Sequence, residues 1–419
     1  MAGEWRDVSI DEIASEIAMG PFGSDIKTDN FVPTGVPVIR GGNLTAGRFH
    51  SADFVFLTEE KADELAKANA LPGDLVFTHR GTLGQVGIVP AKPFRRYVVS
   101  QSQMKMTCDP KSANPAFMYY FFKSPAGQHA LLMNTSQTGV PAISRPVTSL
   151  RSIRLSLPPL PEQRAIAHIL GTLDDKIELN RRMNETLEAM ARALFQSWFV
   201  DFDPVRAKAA GRDPGLPQPV ANLFPDRFED SELGEIPEGW EVKQLDDLAD
   251  IQGGKQLSSE ECNPTGVFPV FGANGIMGYA ERSTHEGFVI AFGRVGAYCG
   301  SVHSTYSGAW INNNASSVMP RRWSEFVLQA MLMADFDGMR TGSAQPFIPN
   351  SSLASLQVVR PPDTVLDEFC SAVRSLRLRE QASQGESRTL AALRDTLLPK
   401  LISGEVRIPD AERIAGAAA

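Results

Sequence analysis

The chain has 419 residues, 42% of them hydrophobic and 21% charged, which is a globular composition longer than one hydrophobic core usually supports. No stretch approaches the roughly 18 to 20 consecutive apolar residues of a membrane span, and Met1-Ala2-Gly3-Glu4-Trp5 lacks the basic and apolar regions of a secretory signal, so a cytoplasmic, non-membrane protein of at least two domains is expected. A net charge of −8 argues against a uniformly basic nucleic-acid binder, and Cys108, Cys262, Cys299 and Cys370 are too dispersed for a zinc site or disulfide framework, which leaves buried free thiols. In chain order, residues 1–158 read as a first globular domain. Trp5-Arg6-Asp7-Val8-Ser9-Ile10-Asp11-Glu12-Ile13 gives a Trp, a short strand and one helical turn, and the apolar run Leu75-Val76-Phe77 enters the glycine turn Gly81-Thr82-Leu83-Gly84. Residues 1–68 carry 6 basic and 12 acidic side chains, whereas residues 69–158 carry 10 and 2, a local net of +8 that fits either a phosphate-holding surface or an ordinary solvated face.

Past Pro158-Pro159 the texture changes to helical periodicity over 159–200. Ile166, Leu170, Leu173, Ile177, Asn180, Asn184, Leu187, Ala191, Leu194 and Trp198 fall alternately three and four apart, the seam of a coiled coil. Residues 201–239 hold Pro204, Pro214, Pro217, Pro219, Pro225 and Pro237 with 9 acidic and 4 basic residues, a linker composition. Residues 240–362 then repeat the first domain. Trp240-Glu241-Val242-Lys243-Gln244-Leu245-Asp246-Asp247-Leu248 matches the opening, and Phe288-Val289-Ile290-Ala291-Phe292 enters Gly293-Arg294-Val295-Gly296. At a constant offset of 203, Thr138-Gly139 matches Thr341-Gly342, Leu150 matches Leu353, and Pro158-Pro159 matches Pro361-Pro362. A second helix over 363–404 carries the seam Leu366, Phe369, Val373, Leu376, Glu380, Ser383, Ser387, Leu390, Arg394, Leu397 and Leu401, and 405–419 form a tail.

Both seams are apolar at the ends and polar in the middle. Antiparallel pairing lays Asn180 and Asn184 against Ser383 and Ser387, whereas a staggered parallel pairing sets polar residues against leucines; buried polar seam residues cost stability and fix register. The expected fold is therefore α/β (α+β): two similar domains in pseudo-two-fold tandem, joined by two long antiparallel coiled-coil helices. Two heads on a rod contact a linear polymer at two places, and duplex DNA, with one turn every ~34 to 36 Å, suits them. Because the copies differ in sequence, the two half-sites are expected to differ. Base reading needs Arg, Asn or Gln on loops over a rigid base. The candidates are Arg40, Asn43, His79, Arg80, Gln101, Gln103 and Arg145 in the first domain, and Lys255, Gln256, Asn274, Arg294, Asn312, Asn313, Asn314 and Gln345 in the second, each equally able to be a turn residue or a solvated side chain.

Pro158-Pro-Leu-Pro-Glu-Gln-Arg164, Phe195-Gln-Ser-Trp-Phe-Val-Asp-Phe-Asp-Pro204 and Leu397-Leu-Pro-Lys-Leu-Ile-Ser-Gly-Glu-Val406, together with the domain order, resemble the specificity subunits of type I restriction-modification systems over nearly the whole chain. The second copy departs from the motif, reading Pro362-Asp-Thr-Val-Leu-Asp-Glu368. The resemblance implies that the globular parts are target recognition domains for double-stranded DNA and that two methyltransferase subunits bind the helices, which set the spacing between half-sites. It singles out Glu162, Gln163, Arg164, Phe195, Trp198, Phe199, Leu397, Lys400 and Leu401 for partner contact. It also implies no cofactor in this chain, S-adenosylmethionine in the methyltransferase, and ATP and Mg in motor-nuclease subunits.

Catalytic readings find little support. There is no G-x-x-x-x-G-K-[ST] phosphate loop and no H-E-x-x-H, and Phe271-Gly272-Ala273-Asn274-Gly275 is followed by no helix pattern and accompanied by no N-P-P-Y-like methyltransferase stretch. Pro225-Asp226 with Glu241-Val242-Lys243 mimics the acids and lysine of a metal-dependent nuclease, but its acid half falls in the linker and its Glu-Val-Lys is the opening strand of the repeat. A scaffold binding proteins or sugars also suits two heads on a rod. Loss of binding at high salt separates DNA from that alternative.

Overall fold

The computed structural model describes residues 4–23, 25–44, 49, 53–136, 139–264, 266–342, 345–411 and 413. The chain divides into two compact units, Met1–Arg181 with Gln384–Ala419 and Arg182–Ser383, so each long helix gives one half to each unit.

In the first unit, Arg6–Ser9 pairs antiparallel with Arg154–Leu157, and the alternation of the strands buries Val8, Leu155 and Leu157. The turn Ile10–Ile13 follows, capped by Ser9, whose N–H and hydroxyl both donate to the Glu12 carboxylate at 2.9 and 2.7 Å. A four-stranded antiparallel sheet runs in the order Ala14–Met19, Gln103–Cys108, Leu75–Thr78, Val86–Ile88. A second sheet has the order Val55–Leu57, Val36–Ile39, Tyr97–Val99, Asn69–Ala70, and its central pair is parallel. Helix Pro115–Lys123 starts at Asn114, which accepts from the Phe117 N–H at 3.0 Å, and its Phe117 and Phe122 enter the core.

The second unit repeats this topology. Glu241–Gln244 pairs with Gln357–Arg360, the turn Leu245–Leu248 follows, and a four-stranded sheet has the order Ala249–Gly253, Ala315–Pro320, Val289–Gly293, Val302–Thr305. Phe268–Gly272 pairs antiparallel with Gly275–Ala280 and parallel with Trp310–Ile311. Helix Ser324–Met333 takes the place of Pro115–Lys123. The repeat is thus present in the sheet topology, with no strand in the second copy's smaller sheet to match Asn69–Ala70, and its internal register differs from the one expected from the glycine turns. Gly81 N–H donates to Pro141 O and Gly296 N–H to Pro346 O, each at 2.8 Å, and both glycines have positive φ, +94° and +83°. Gly81 therefore corresponds to Gly296, not Gly293, and His79-Arg80 to Arg294-Val295. Gly293, by contrast, ends a strand and is not in left-handed backbone. Of the Thr-Gly pairs, Thr138 lies outside the described residues.

The long helices run from Leu160 to Phe195, continued by a π-helical turn Gln196–Val200, and from Asp363 to Ser403. Their antiparallel pairing is visible inside each unit. Ile166, Leu170 and Leu173 share the first core with Leu390, Leu397 and Leu401, and Ala191, Phe195 and Trp198 share the second with Leu366, Phe369 and Val373. In the polar middle Asn180 and Ser383 are buried, Asn180 donates to the Glu386 carboxylate at 2.7 Å and Lys176 reaches the same group at 3.3 Å. Residues 201–239 are not an extended linker either. They hold helices Asp203–Ala209 and Gln218–Ala221 and a hairpin, Phe228–Ser231 with Gly234–Pro237, and they bury Phe202, Val205, Phe224 and Ile236 in the second core. Prolines read as linker punctuation instead start helices or close hairpins. The tail docks on the first unit through Val406, Ile408 and Ala411.

Each unit fastens its helix with a polar group at the same repeat position. In the first, Asp174 accepts from the Tyr120 hydroxyl at 2.7 Å and pairs with Arg394 at 2.8 Å. In the second, the position 203 residues later is Arg377, 2.6 Å from Glu380 and 3.7 Å from Glu325, which also accepts from the Tyr306 hydroxyl. Burial raises the carboxyls of Glu325 and Glu188, the latter also facing Glu380. Arg377→Ala removes the cation from this acidic group and should cost about 3 to 5 kcal/mol in urea unfolding at pH 8. The exposed-to-each-other carboxylates then titrate above their unfolded values, so that cost should shrink as the pH falls toward 5 and protons replace the arginine.

Candidate nucleic-acid interface

Apart from Arg145, the candidate residues of each domain sit on loops that backbone hydrogen bonds gather at one corner of the unit. In the first unit, Gly20 N–H donates to Gln103 O at 2.9 Å, Ser100 N–H to Ile39 O at 3.0 Å, His79 N–H to Ser102 O at 2.9 Å and Ile143 N–H to His79 O at 2.8 Å. The second unit makes the equivalent set: Gly254 to Ala315 at 3.0 Å, Asn312 to Phe271 at 2.8 Å, Arg294 to Asn314 at 3.1 Å and Ile348 to Arg294 at 3.0 Å. Two glycines make the approach possible. A Cβ on Gly20 would stand 1.9 Å from Ser100 O, and one on Gly254 would stand 2.0 Å from Asn312 O. The frame equates Ser100-Gln101-Ser102 with Asn312-Asn313-Asn314, and Gly20-Pro21-Phe22 with Gly254-Lys255-Gln256.

Within the first frame lies a cleft of 510 Å³ lined by Arg40, Arg80, Gln101 and Gln103 among others. Arg40, Arg80 and Gln101 are exposed there, although one arm of Arg40 donates to Asp53 O at 2.7 Å. The other candidates turn inward. Asn43 is buried and accepts from Arg40 N–H at 2.9 Å, holding the Arg40 turn. Gln103 is buried, donates to Thr78 Oγ1 at 3.3 Å and accepts from the Ser100 hydroxyl. His79 is buried with Nε2 3.1 Å from Gln101 O, and burial holds its imidazole below the ordinary value of 6.5. The hydrogen bonds of these three side chains brace the loops. Arg145 is exposed beyond the cleft, in left-handed backbone at φ +46° before the helix Pro146–Arg151, and lines a separate shallow depression with Ser144 and Thr148.

In the second frame Lys255, Gln256, Asn274, Asn313, Asn314 and Gln345 are exposed. Asn312 is buried. The guanidinium of Arg294 donates to Asn313 O at 3.0 and 3.2 Å and lies 5.6 Å from the centre of the Phe347 ring, so it braces the Asn313 turn. Phe22 is the cleft residue the sequence reasoning missed. Its repeat partner Gln256 was among the candidates, and that equivalence was the signal that could have found it.

Folding pairs four of the ten cations of residues 69–158 with acids of residues 1–68: Lys105 with Glu16 at 2.8 Å, Arg96 with Asp63 at 2.6 Å, Arg154 with Asp7 at 2.8 Å, and Arg151 with Asp11. The helix-end residues divide in the same way. Gln163 is buried, donates to Ser112 O at 3.0 Å and Pro158 O at 2.8 Å, and accepts from Asn114 N–H at 2.7 Å. Phe195, Trp198, Phe199, Leu397 and Leu401 are core residues, so packing within the chain, not partner contact, accounts for them. Arg164 is exposed, and Glu162 and Lys400 are partly so.

Among the described residues no group of three or more His, Cys, Asp or Glu is placed to hold a metal ion, and no helix is long and apolar enough to cross a membrane. Glu241 and Lys243 pair with each other at 3.1 Å on the opening strand. All four cysteines are free thiols; Cys108 and Cys299 are buried, whereas Cys262 and Cys370 are only partly so.

The chain is a duplicated α/β protein whose two copies share a loop frame, each packed on antiparallel halves of the long helices. Its sequence matches the family described as type I restriction modification DNA specificity domain over residues 3–189 and 237–363, and the chain belongs to that family, the non-catalytic DNA-recognition component of such systems. It is 27% identical to the type I restriction enzyme HindI specificity subunit of Haemophilus influenzae, across 96% of this chain and 100% of that one. It is 23% identical to the MjaIX specificity subunit of Methanocaldococcus jannaschii, across 84% and 82%. The crystal structure of a type I restriction-modification S subunit from M. genitalium shares the fold with a TM-score of 0.58 at 18% identity, covering 95% of this chain and 96% of that one.

His79 and Arg80 are adjacent but have opposite fates. His79→Gln should cost roughly 1 to 3 kcal/mol because a buried hydrogen-bonding group is replaced, whereas Arg80→Ala should leave stability within about 0.5 kcal/mol and weaken duplex binding. The stability His79 contributes is present above pH 6.5 and lost as pH falls through its lowered folded value. Melting temperatures measured from pH 7.5 to 5 should therefore fall more steeply for the native protein than for His79→Gln.

Proposed function

We propose that the chain reads an asymmetric, bipartite site on double-stranded DNA, one half with each target recognition domain (1–158 and 240–362), and directs two methyltransferase subunits to it. The duplicated loop frame carries this reading. Identical backbone bonding in the two units presents different side chains, Phe22, Arg40, Arg80 and Gln101 in one and Gln256, Asn274, Asn313 and Asn314 in the other. One docking geometry with two chemistries is what two unlike half-sites require. Phosphate contacts set the register and base contacts choose the sequence.

The spacer helices, 159–200 and 363–404, hold the partners and fix the gap. Their surface-reaching ends, Glu162, Arg164 and Lys400, are the residues assigned to partner contact. S-adenosylmethionine belongs to the methyltransferase subunits, and ATP and Mg to motor-nuclease subunits, all acting in the cytoplasm.

Co-expression with the neighbouring candidate methyltransferase, followed by single-molecule sequencing of host DNA, should reveal a gapped two-part motif of methylated adenines that disappears when this chain is deleted. Methylation that survives the deletion, with no complex formed, would return the scaffold reading. Removing one heptad from each helix shortens the rod by about 10.5 Å, close to three base pairs at ~3.4 Å per pair. The methylated motif should lose two or more base pairs of its gap, and an unchanged gap would refute the spacer role.

A further inference from the structure

Phe22 is 82% exposed, the most solvent-exposed large hydrophobic side chain among the described residues. It is not on a frayed end. Its N–H donates to the Asp25 carboxylate at 3.1 Å and its carbonyl accepts from the Asp25 N–H at 2.9 Å, a closed turn that holds the ring outward. Gly23 beside it packs so close to Gln101 that a Cβ would stand 2.6 Å from Oε1, so the turn is seated against the loop opposite. The ring stands at the mouth of the 510 Å³ cleft, a volume inside the roughly 300 to 1,000 Å³ of small-ligand sites. Ile26, Phe31 and Val38 supply apolar wall, and Arg40, Arg80 and Gln101 supply charged and amide groups.

This arrangement is concave. A side chain that reads an intact major groove projects into it, because the edge of a stacked base lies on the groove floor and cannot enter a pocket. A base that leaves the stack can enter one, and an apolar side chain commonly fills the gap it vacates. We propose that the first domain unstacks one base pair of its half-site: Phe22 inserts as the wedge, and the cleft takes the displaced nucleobase between its apolar wall and the Arg40, Arg80 and Gln101 groups. The inference rests on the DNA-reading function proposed above. It is one-sided, because the repeat partner of Phe22 is Gln256 and that of Arg40 is Gly272.

The test uses the complex with its methyltransferase partner and duplexes carrying the methylated motif. 2-Aminopurine replaces each adenine, or pyrrolocytosine each cytosine, one position at a time through the first half-site. The methylated adenine is omitted because a base-modifying enzyme displaces its own target. Binding should raise fluorescence severalfold at one base pair. That rise should be lost in Phe22→Ala, kept in Phe22→Trp and unaffected by Gln256→Ala. A mismatch at the same pair should tighten binding severalfold, since a weakened pair costs less to open. Site-specific binding with no enhanced position, or an enhancement that Phe22→Ala leaves intact, would overturn the inference while leaving the DNA-reading function standing. Absence of any site-specific binding would overturn both.

Discussion

The long helices complete one core of each globular domain, and that dependence organises the molecule. In the first unit the helix side chains Ile166, Leu170 and Leu173, with Leu390, Leu397 and Leu401 from the other helix, complete a core whose sheet and helix contribute Phe77, Met104, Phe117 and Phe122. In the second, Phe195, Trp198 and Phe199 meet Phe369 and Phe326 with ring centres 4.9 to 6.0 Å apart. Such a core transmits no slack: a shift of the helix is a shift of the domain packed on it. Helices that are also core explain why the aromatic and leucine motifs at their ends are internal.

Polar groups then fix what apolar packing leaves loose. Asp174 with Tyr120 and Arg394, and Arg377 with Glu325 and Glu380, pin each helix at the same repeat position with opposite signs of charge. Partly or fully buried pairs of this kind add little net stability and penalise a wrong register. The reversal of sign means that one helix cannot substitute for the other without setting like charges together or leaving a charge unmatched.

Much of the fold was legible in the sequence because it rests on periodic apolar patterns. The seam residues Ile166 through Trp198 and Leu366 through Leu401 were read from three-four spacing, and the repeat from matched Trp, strand and Pro-Pro positions. The candidate site was legible only to the level of the loop. Arg40, Asn43, His79 and Gln103 are all polar residues at strand ends, yet three of the four spend their hydrogen bonds inside the protein. A loop crowded enough to be rigid must satisfy its own buried donors and acceptors first. The same side chains that advertise a reading surface therefore serve as its frame, and composition does not separate the two.

The sequence by itself determined the two copies, the antiparallel sense of the helices and the family, since these depend on spacing along one chain and spacing is what a sequence records. Tertiary structure decided which residues face outward. Acids of 1–68 pair with some of the cations of 69–158 across strands far apart in sequence, the proline-rich stretch after the first helix becomes core, and Gly81 matches Gly296 rather than Gly293 in the register of the repeat. The physical reason is the same in each case. Burial and pairing are properties of groups brought together by folding, and the energy of a polar side chain depends on its partner and its exposure, neither of which is written at its own position.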